Sequence, residues 1–109
     1  MPQTVNIPER LPISMDPDEL AALCRRYGIR ELALFGSVLR NGFTSQSDVD
    51  VLYEMGPTSA IRSLFELGRL VGDLENLVGR RVDVANKQRL YPVLREEILS
   101  TRRVIYAET

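Results

Sequence analysis

The chain has 109 residues, 44% of them hydrophobic and 27% charged, with a net charge of −1, a profile that excludes disordered, collagen-like and disulfide-stapled chains. It has no histidine, which removes Ser-His-Asp triads, Cys-His pairs, histidine-dependent zinc sites and histidine acid–base catalysis. Its one cysteine, Cys24, can close no disulfide within the chain, and the near-neutral charge is a poor basis for general nucleic-acid binding.

The length fits one domain over residues 1–109. No apolar run approaches a membrane span, and MPQTVNIPER does not read as a signal peptide. The expectation is a soluble, cytoplasmic protein with no membrane partner. Lys87 is the only lysine among 14 basic residues. Arginine suits fixed, planar contacts to phosphate and carboxylate, although a bias in composition would give the same count.

In chain order, residues 1–15 hold Pro2, Pro8 and Pro12 without clear periodicity and read as an extended arm or edge segment. Asp16 is a candidate N-cap, Pro17 suits the first helical position, and Asp18 and Glu19 add negative charge to the first turn. Leu20, Leu23, Cys24 and Tyr27 then mark one helix face, which Gly28 can end. Residues 31–35 (ELALF) read as a buried strand, and 40–47 (RNGFTSQS) as a turn or loop. Residues 48–54 (DVDVLYE) alternate and read as a strand.

Residues 58–78 carry the longest helical pattern, with Ile61, Leu64, Phe65, Val71, Leu74, Leu77 and Val78 as its buried stripe. Gly68 and Gly72 within it suggest close packing or a bend. A third strand is expected over 80–85 (RRVDVA), a short helix from Pro92, and a last strand, at the sheet edge, over 102–107 (RRVIYA). The fold class is therefore α/β (α+β), a small mixed sheet with flanking helices.

The piece that carries chemistry is Gly36-Ser37, then ten residues, then Asp48-Val49-Asp50. Two carboxylates at i and i+2 of a strand share a face, about 6–7 Å apart. Such a pair is costly to bury unless cations neutralise it. Hard oxygen ligands of this kind suit Mg²⁺ together with substrate phosphates. Asp83 lies on another expected strand. If the two strands pair, three carboxylates can hold two metals for in-line displacement at phosphorus. Gly36 permits close backbone approach to a ligand, Ser37 offers a hydroxyl and N–H groups to phosphate, and Arg40 can add a contact. A purely structural reading leaves Asp48 and Asp83 capping strand ends and Asp50 in solvent.

Leu34-Phe35-Gly36-Ser37, Arg40 and Ser47-Asp48-Val49-Asp50-Val51-Leu52, with Arg81-Val82-Asp83-Val84 and the closing PVLREEILSTRRVIYA, resemble the minimal nucleotidyltransferases of the DNA polymerase beta superfamily. The resemblance runs from about Ile29 to Ala107. It implies a nucleotidyltransferase fold, Mg²⁺ (two ions) and ATP. Asp48 and Asp50 would be metal ligands, Asp83 a third ligand or the base toward the acceptor hydroxyl, and Gly36 and Ser37 triphosphate binders. Many members have a basic residue directly after Gly-Ser, where this chain has Val38.

Members of this length often act as antitoxins paired with a HEPN-type toxin, and the resemblance implies transfer of AMP to a tyrosine of that partner. The alternative is a binding-only antitoxin that occludes its partner over a vestigial nucleotide site. Transfer to a small molecule or an RNA end is disfavoured by the short length and balanced charge. Cys24 reads as a buried, inert thiol. Tyr53 and Tyr91 read as core or edge residues, with adenine stacking as the other option. For Arg80-Arg81 and Arg102-Arg103, an acidic partner or phosphate and a solvated strand end are both open.

Overall fold

In the computed structural model, which describes residues 3–108, five strands form one sheet: β1 (Gln3–Val5), β2 (Ile29–Phe35), β3 (Val49–Met55), β4 (Val82–Asn86) and β5 (Arg103–Glu108). Their order in the sheet is β1-β5-β2-β3-β4. Only β3 and β4 pair in parallel. The described helices are α1 (Pro17–Tyr27), α2 (Leu64–Val78) and α3 (Pro92–Thr101). None is long and apolar enough to cross a membrane. Met1 and Pro2, part of the expected arm, lie outside the described residues.

Local signals explain the helix ends. The Asp16 carboxylate accepts from the N–H groups of Asp18 at 2.8 Å and Glu19 at 3.2 Å, which satisfies two of the free donors at the start of α1. Gly28 ends it in the left-handed region, at φ 69°. The buried stripes of α1 (Leu20, Leu23, Cys24) and α2 (Leu70, Leu74, Val78) pack with Leu32 and Leu34 of β2 and Val49, Val51 and Tyr53 of β3 in one core cluster. Strand side chains alternate, so Glu31, Phe35, Asp50 and Glu54 lie on the opposite face. On that face Lys87 pairs with Glu31 at 3.2 Å and Glu54 at 3.4 Å, and Arg102 pairs with Glu31 at 2.9 Å. These contacts, with Arg95 donating to the Lys87 carbonyl at 2.9 Å, tie down α3, which has no buried residue.

Several expectations are corrected. The long helix starts at Leu64, not at residue 58, because the Ser63 hydroxyl caps it and the Glu66 carboxylate reaches back to the residue before the cap. Glu66 N–H donates to the Ser63 hydroxyl at 3.4 Å, and Arg62 N–H donates to the Glu66 carboxylate at 3.1 Å. That start turns Leu64 and Phe65 outward, 86% and 76% exposed, and places Leu70 in the core instead. A Cβ at Gly68 or Gly72 would meet nothing within 4 Å, so neither serves close packing. The last strand is interior, because β1 covers its outer edge. Tyr53 is a core residue as expected, whereas Tyr91 is 76% exposed. Cys24 is buried and free, and burial pushes its thiol up to about 12.

Candidate active site

The parallel β3–β4 ladder sets the central pair. Val49 faces Val82, Asp50 faces Asp83, and Val51 faces Val84. The valines on both strands are drawn to the core, and the same alternation turns both aspartates to the opposite face. Neighbouring strands run about 4.8 Å apart, so the two carboxylates share one small patch at the sheet surface. Asp50 is half-buried, whereas Asp83 is exposed on the edge strand. Burial is the main cause that pushes the Asp50 carboxyl above its ordinary value. The charges of Asp83 and Asp48 add to the rise, and Arg40 opposes it. Asp83, Asp48 and Arg40 are therefore each in electrostatic reach of Asp50.

Asp48 arrives differently. It precedes β3 and is 48% exposed, with its carboxylate 3.3 Å from Nε of Arg81. As placed, no three acidic, cysteine or histidine side chains among the described residues converge on one ion. Asp48 instead lies against a cation of the chain, in a solvent-exposed ion pair.

Gly36 closes the other side. The β2–β3 pairing sets Phe35 opposite Asp50, and the next residue enters a 3-10 turn over Gly36–Leu39. Gly36 has φ 76°, where side chains are strained. A Cβ there would also strike Oδ2 of Asp50. Arg40 N–H closes the turn on the Ser37 carbonyl at 3.0 Å. Gly36, Leu39 and Arg40 line a recess of about 200 Å³ whose other wall is Glu97 and Thr101 of α3. A larger cavity of about 610 Å³, lined by Arg25, Gly28, Arg30 and Gly56 among others, lies at the far end of the β2–β3 hairpin. It touches none of the aspartates.

The structure thus brings together Gly36, Asp50 and Asp83 by sheet register, with Arg40 and Asp48 in charge range and Ser37 in the same turn. Sequence reasoning missed the roles of Arg80 and Arg81. Both precede β4, which begins at Val82 rather than at residue 80. Both bond to the loop that delivers Asp48. Glu97 and Thr101 were also missed, since nothing in a short helix over PVLREEILST marks which residues face the recess.

Residues 20–105 match the nucleotidyltransferase domain family. The protein adenylyltransferase MntA of Thermococcus cleftensis is 37% identical over 84 residues, which cover 77% of this chain and 80% of that protein. A solved structure described as a minimal nucleotidyltransferase shares 35% identity at a TM-score of 0.64, over 78% of this chain and 84% of that one. A solved toxin–antitoxin with AMP-PNP has the same fold at a TM-score of 0.64 and 17% identity, over 84% of this chain and 73% of that one. A mixed sheet with a carboxylate pair in register beside a glycine turn, together with a family match over most of its length, means that this chain belongs to the nucleotidyltransferase domain family, as an enzyme of its minimal, protein-adenylyltransferase group.

Proposed function

We propose that residues 1–109 form one nucleotidyltransferase domain that transfers AMP from ATP, with Mg²⁺, to a tyrosine of a HEPN-type toxin, and that this modification makes the protein an antitoxin. The observation that carries the reading is the in-register placement of Asp50 and Asp83 across β3 and β4, with Gly36 directly behind Asp50. The adenylyltransferase relative and the toxin–antitoxin fold neighbour with its AMP-PNP support the choice of nucleotide and partner. A cytoplasmic setting belongs to the same proposal and agrees with a free, buried Cys24.

The donor set fits a hard divalent cation. Asp48, Asp50 and Asp83 offer only carboxylate oxygens, and the Asp50 carboxyl, lifted first by burial and then by the charges of Asp83 and Asp48, is one that a bound cation would return to its charged form. These three would hold the two ions, with Asp48 exchanging Arg81 for metal. Bound there, Mg²⁺ supplies charge neutralisation for the triphosphate and stabilises the transition state at phosphorus. The chain's own groups do the rest. Gly36 keeps the backbone low enough for the triphosphate to approach. The Ser37 hydroxyl and the Arg40 guanidinium take phosphate oxygens. The acceptor oxygen bonds to the α-phosphorus, and the bond from that phosphorus to the pyrophosphate oxygen breaks. Asp83, exposed at the sheet edge, is the carboxylate placed to take the hydroxyl proton, or else completes the metal ligands.

A binding-only antitoxin is the second reading. The exposed side chains that favour it are Leu64, Phe65, Tyr91 and Val93, which give a partner apolar surface to cover. One experiment separates the two. The partner is incubated with this chain, ATP and Mg²⁺, and its intact mass is measured, with an Asp48→Ala, Asp50→Ala double variant alongside. The expected result is a gain of one or more AMP units, lost in the variant. A stable complex with no mass gain would favour occlusion.

A further inference from the structure

We infer that Arg80 is a positioning residue that sets the backbone of Asp48 for metal binding, an inference that rests on the proposed metal role of Asp48. Asp50 and Asp83 sit on strands, so sheet hydrogen bonds fix them. Asp48 sits one residue outside β3 and needs another support. The preceding loop is shaped by its own hydroxyls. Ser47 N–H donates to the Thr44 carbonyl at 3.1 Å, Thr44 N–H to the Ser47 hydroxyl at 3.0 Å, and Gln46 N–H to the Thr44 hydroxyl at 3.2 Å. This turn points two carbonyls at one donor. Nη2 of Arg80 donates to the Thr44 carbonyl at 2.8 Å and to the Ser47 carbonyl at 2.6 Å. The same guanidinium lies over the Phe43 ring, 4.7 Å from its centroid, a stacked geometry that a planar cation favours.

The Ser47 carbonyl belongs to the peptide that leads into Asp48. On the other side, Val49 N–H donates to the Arg81 carbonyl at 2.9 Å. Asp48 is therefore bracketed: Arg80 holds the peptide before it and the Arg81 backbone the peptide after it. Groups that hydrogen-bond a ligating side chain directly are worth about 10- to 100-fold in metal affinity, and a hold on the peptide before the ligand is expected at the low end of that range.

The test is a Mn²⁺ titration of the full chain without nucleotide, followed by electron paramagnetic resonance, with a thermal melt of each variant. Arg80→Ala is expected to weaken Mn²⁺ binding about tenfold. Arg80→Lys, which keeps one donor but not the flat stack, should recover part of the loss. Phe43→Leu, which leaves the guanidinium in place, should weaken binding in the same direction by less. The deciding measurement is a double-mutant cycle: in an Asp48→Asn background, Arg80→Ala should add little. Unchanged Mn²⁺ affinity in Arg80→Ala, or a fully additive loss in the Asp48→Asn background, would overturn the inference alone. Unchanged affinity in Asp48→Asn itself would overturn the metal role of Asp48 and the positioning role with it.

Discussion

Asp50 and Asp83 stand opposite each other in the parallel β3–β4 ladder, two like charges in register on adjacent strands. A pair like this destabilises a sheet, and no cation of the chain forms an ion pair with either carboxylate among the described residues. The sheet is held together elsewhere, by the buried valines that alternate with the two aspartates.

Asp50→Asn is expected to abolish AMP transfer by about a thousandfold, the loss of several kcal/mol of transition-state stabilisation. The same change should stabilise the metal-free fold at neutral pH. The Asp50 carboxyl is raised above its usual range by burial and then by Asp83 and Asp48. The native state therefore holds its proton more tightly than the unfolded chain, and stability falls as pH rises through that interval. Asparagine removes the charge. Melts in a chelating buffer should show a gain at pH 7 that vanishes as pH falls well below the ordinary value of 3.8. A melting midpoint that drops at pH 7 would contradict this account.

Gly36→Ala should impair both folding and activity. The substitution meets a left-handed backbone, φ 76°, and Oδ2 of Asp50 at once. The backbone cost alone is about 1–2 kcal/mol, and the displaced Asp50 should lower nucleotide-dependent turnover further. Gly42→Ala, on the loop where a Cβ would meet nothing, is the control and should leave turnover unchanged. Parallel kinetics and denaturant melts would read both.

Glu31→Gln should loosen α3 in a pH-dependent way. Burial alone would raise the Glu31 carboxyl, but hydrogen bonds and charge from Arg102 and Lys87 outweigh it and hold it below the usual range. A depressed folded value means stability that is present above the unfolded value of 4.5 and lost as pH falls through the folded one. The variant should therefore be less stable than the wild type at pH 7, on the order of 1 kcal/mol for charge-assisted hydrogen bonds at this depth. The gap should close at lower pH. Because α3 walls the recess at Glu97 and Thr101, nucleotide KM should rise more than kcat falls.

Ser63→Ala should cost about 1 kcal/mol by removing the N-cap of α2. Phe65→Ser, two residues on, should stay within about 0.5 kcal/mol because the ring is 76% exposed. Had Phe65 been a core residue, as helical periodicity from residue 58 suggests, its truncation would cost several kcal/mol. Thermal melts of the two variants separate the helix start seen here from the longer helix.

The amino-acid sequence by itself determined the chemistry-bearing residue types and the local elements that carry them. Asp16-Pro17 and Gly28 mark both ends of α1 because caps act within one turn. DVDVLYE alternates because a half-buried strand must. The spacing of Gly36-Ser37 to Asp48-Val49-Asp50, with Asp83 on a later strand, identified the candidate site before any contact was known. The tertiary structure alone decided the rest. The partner of β4, and so the meeting of Asp83 with Asp50, depends on a parallel pairing across more than 30 intervening residues, for which no local signal exists. The interior place of β5 depended on a short N-terminal strand that pairs with it. The side chains of Arg80 and Arg81 carry no periodicity that reveals a partner. Their roles follow from a loop some 33 residues earlier in the chain, brought beside them by the fold, because long-range contacts are selected by packing and register rather than by neighbouring sequence.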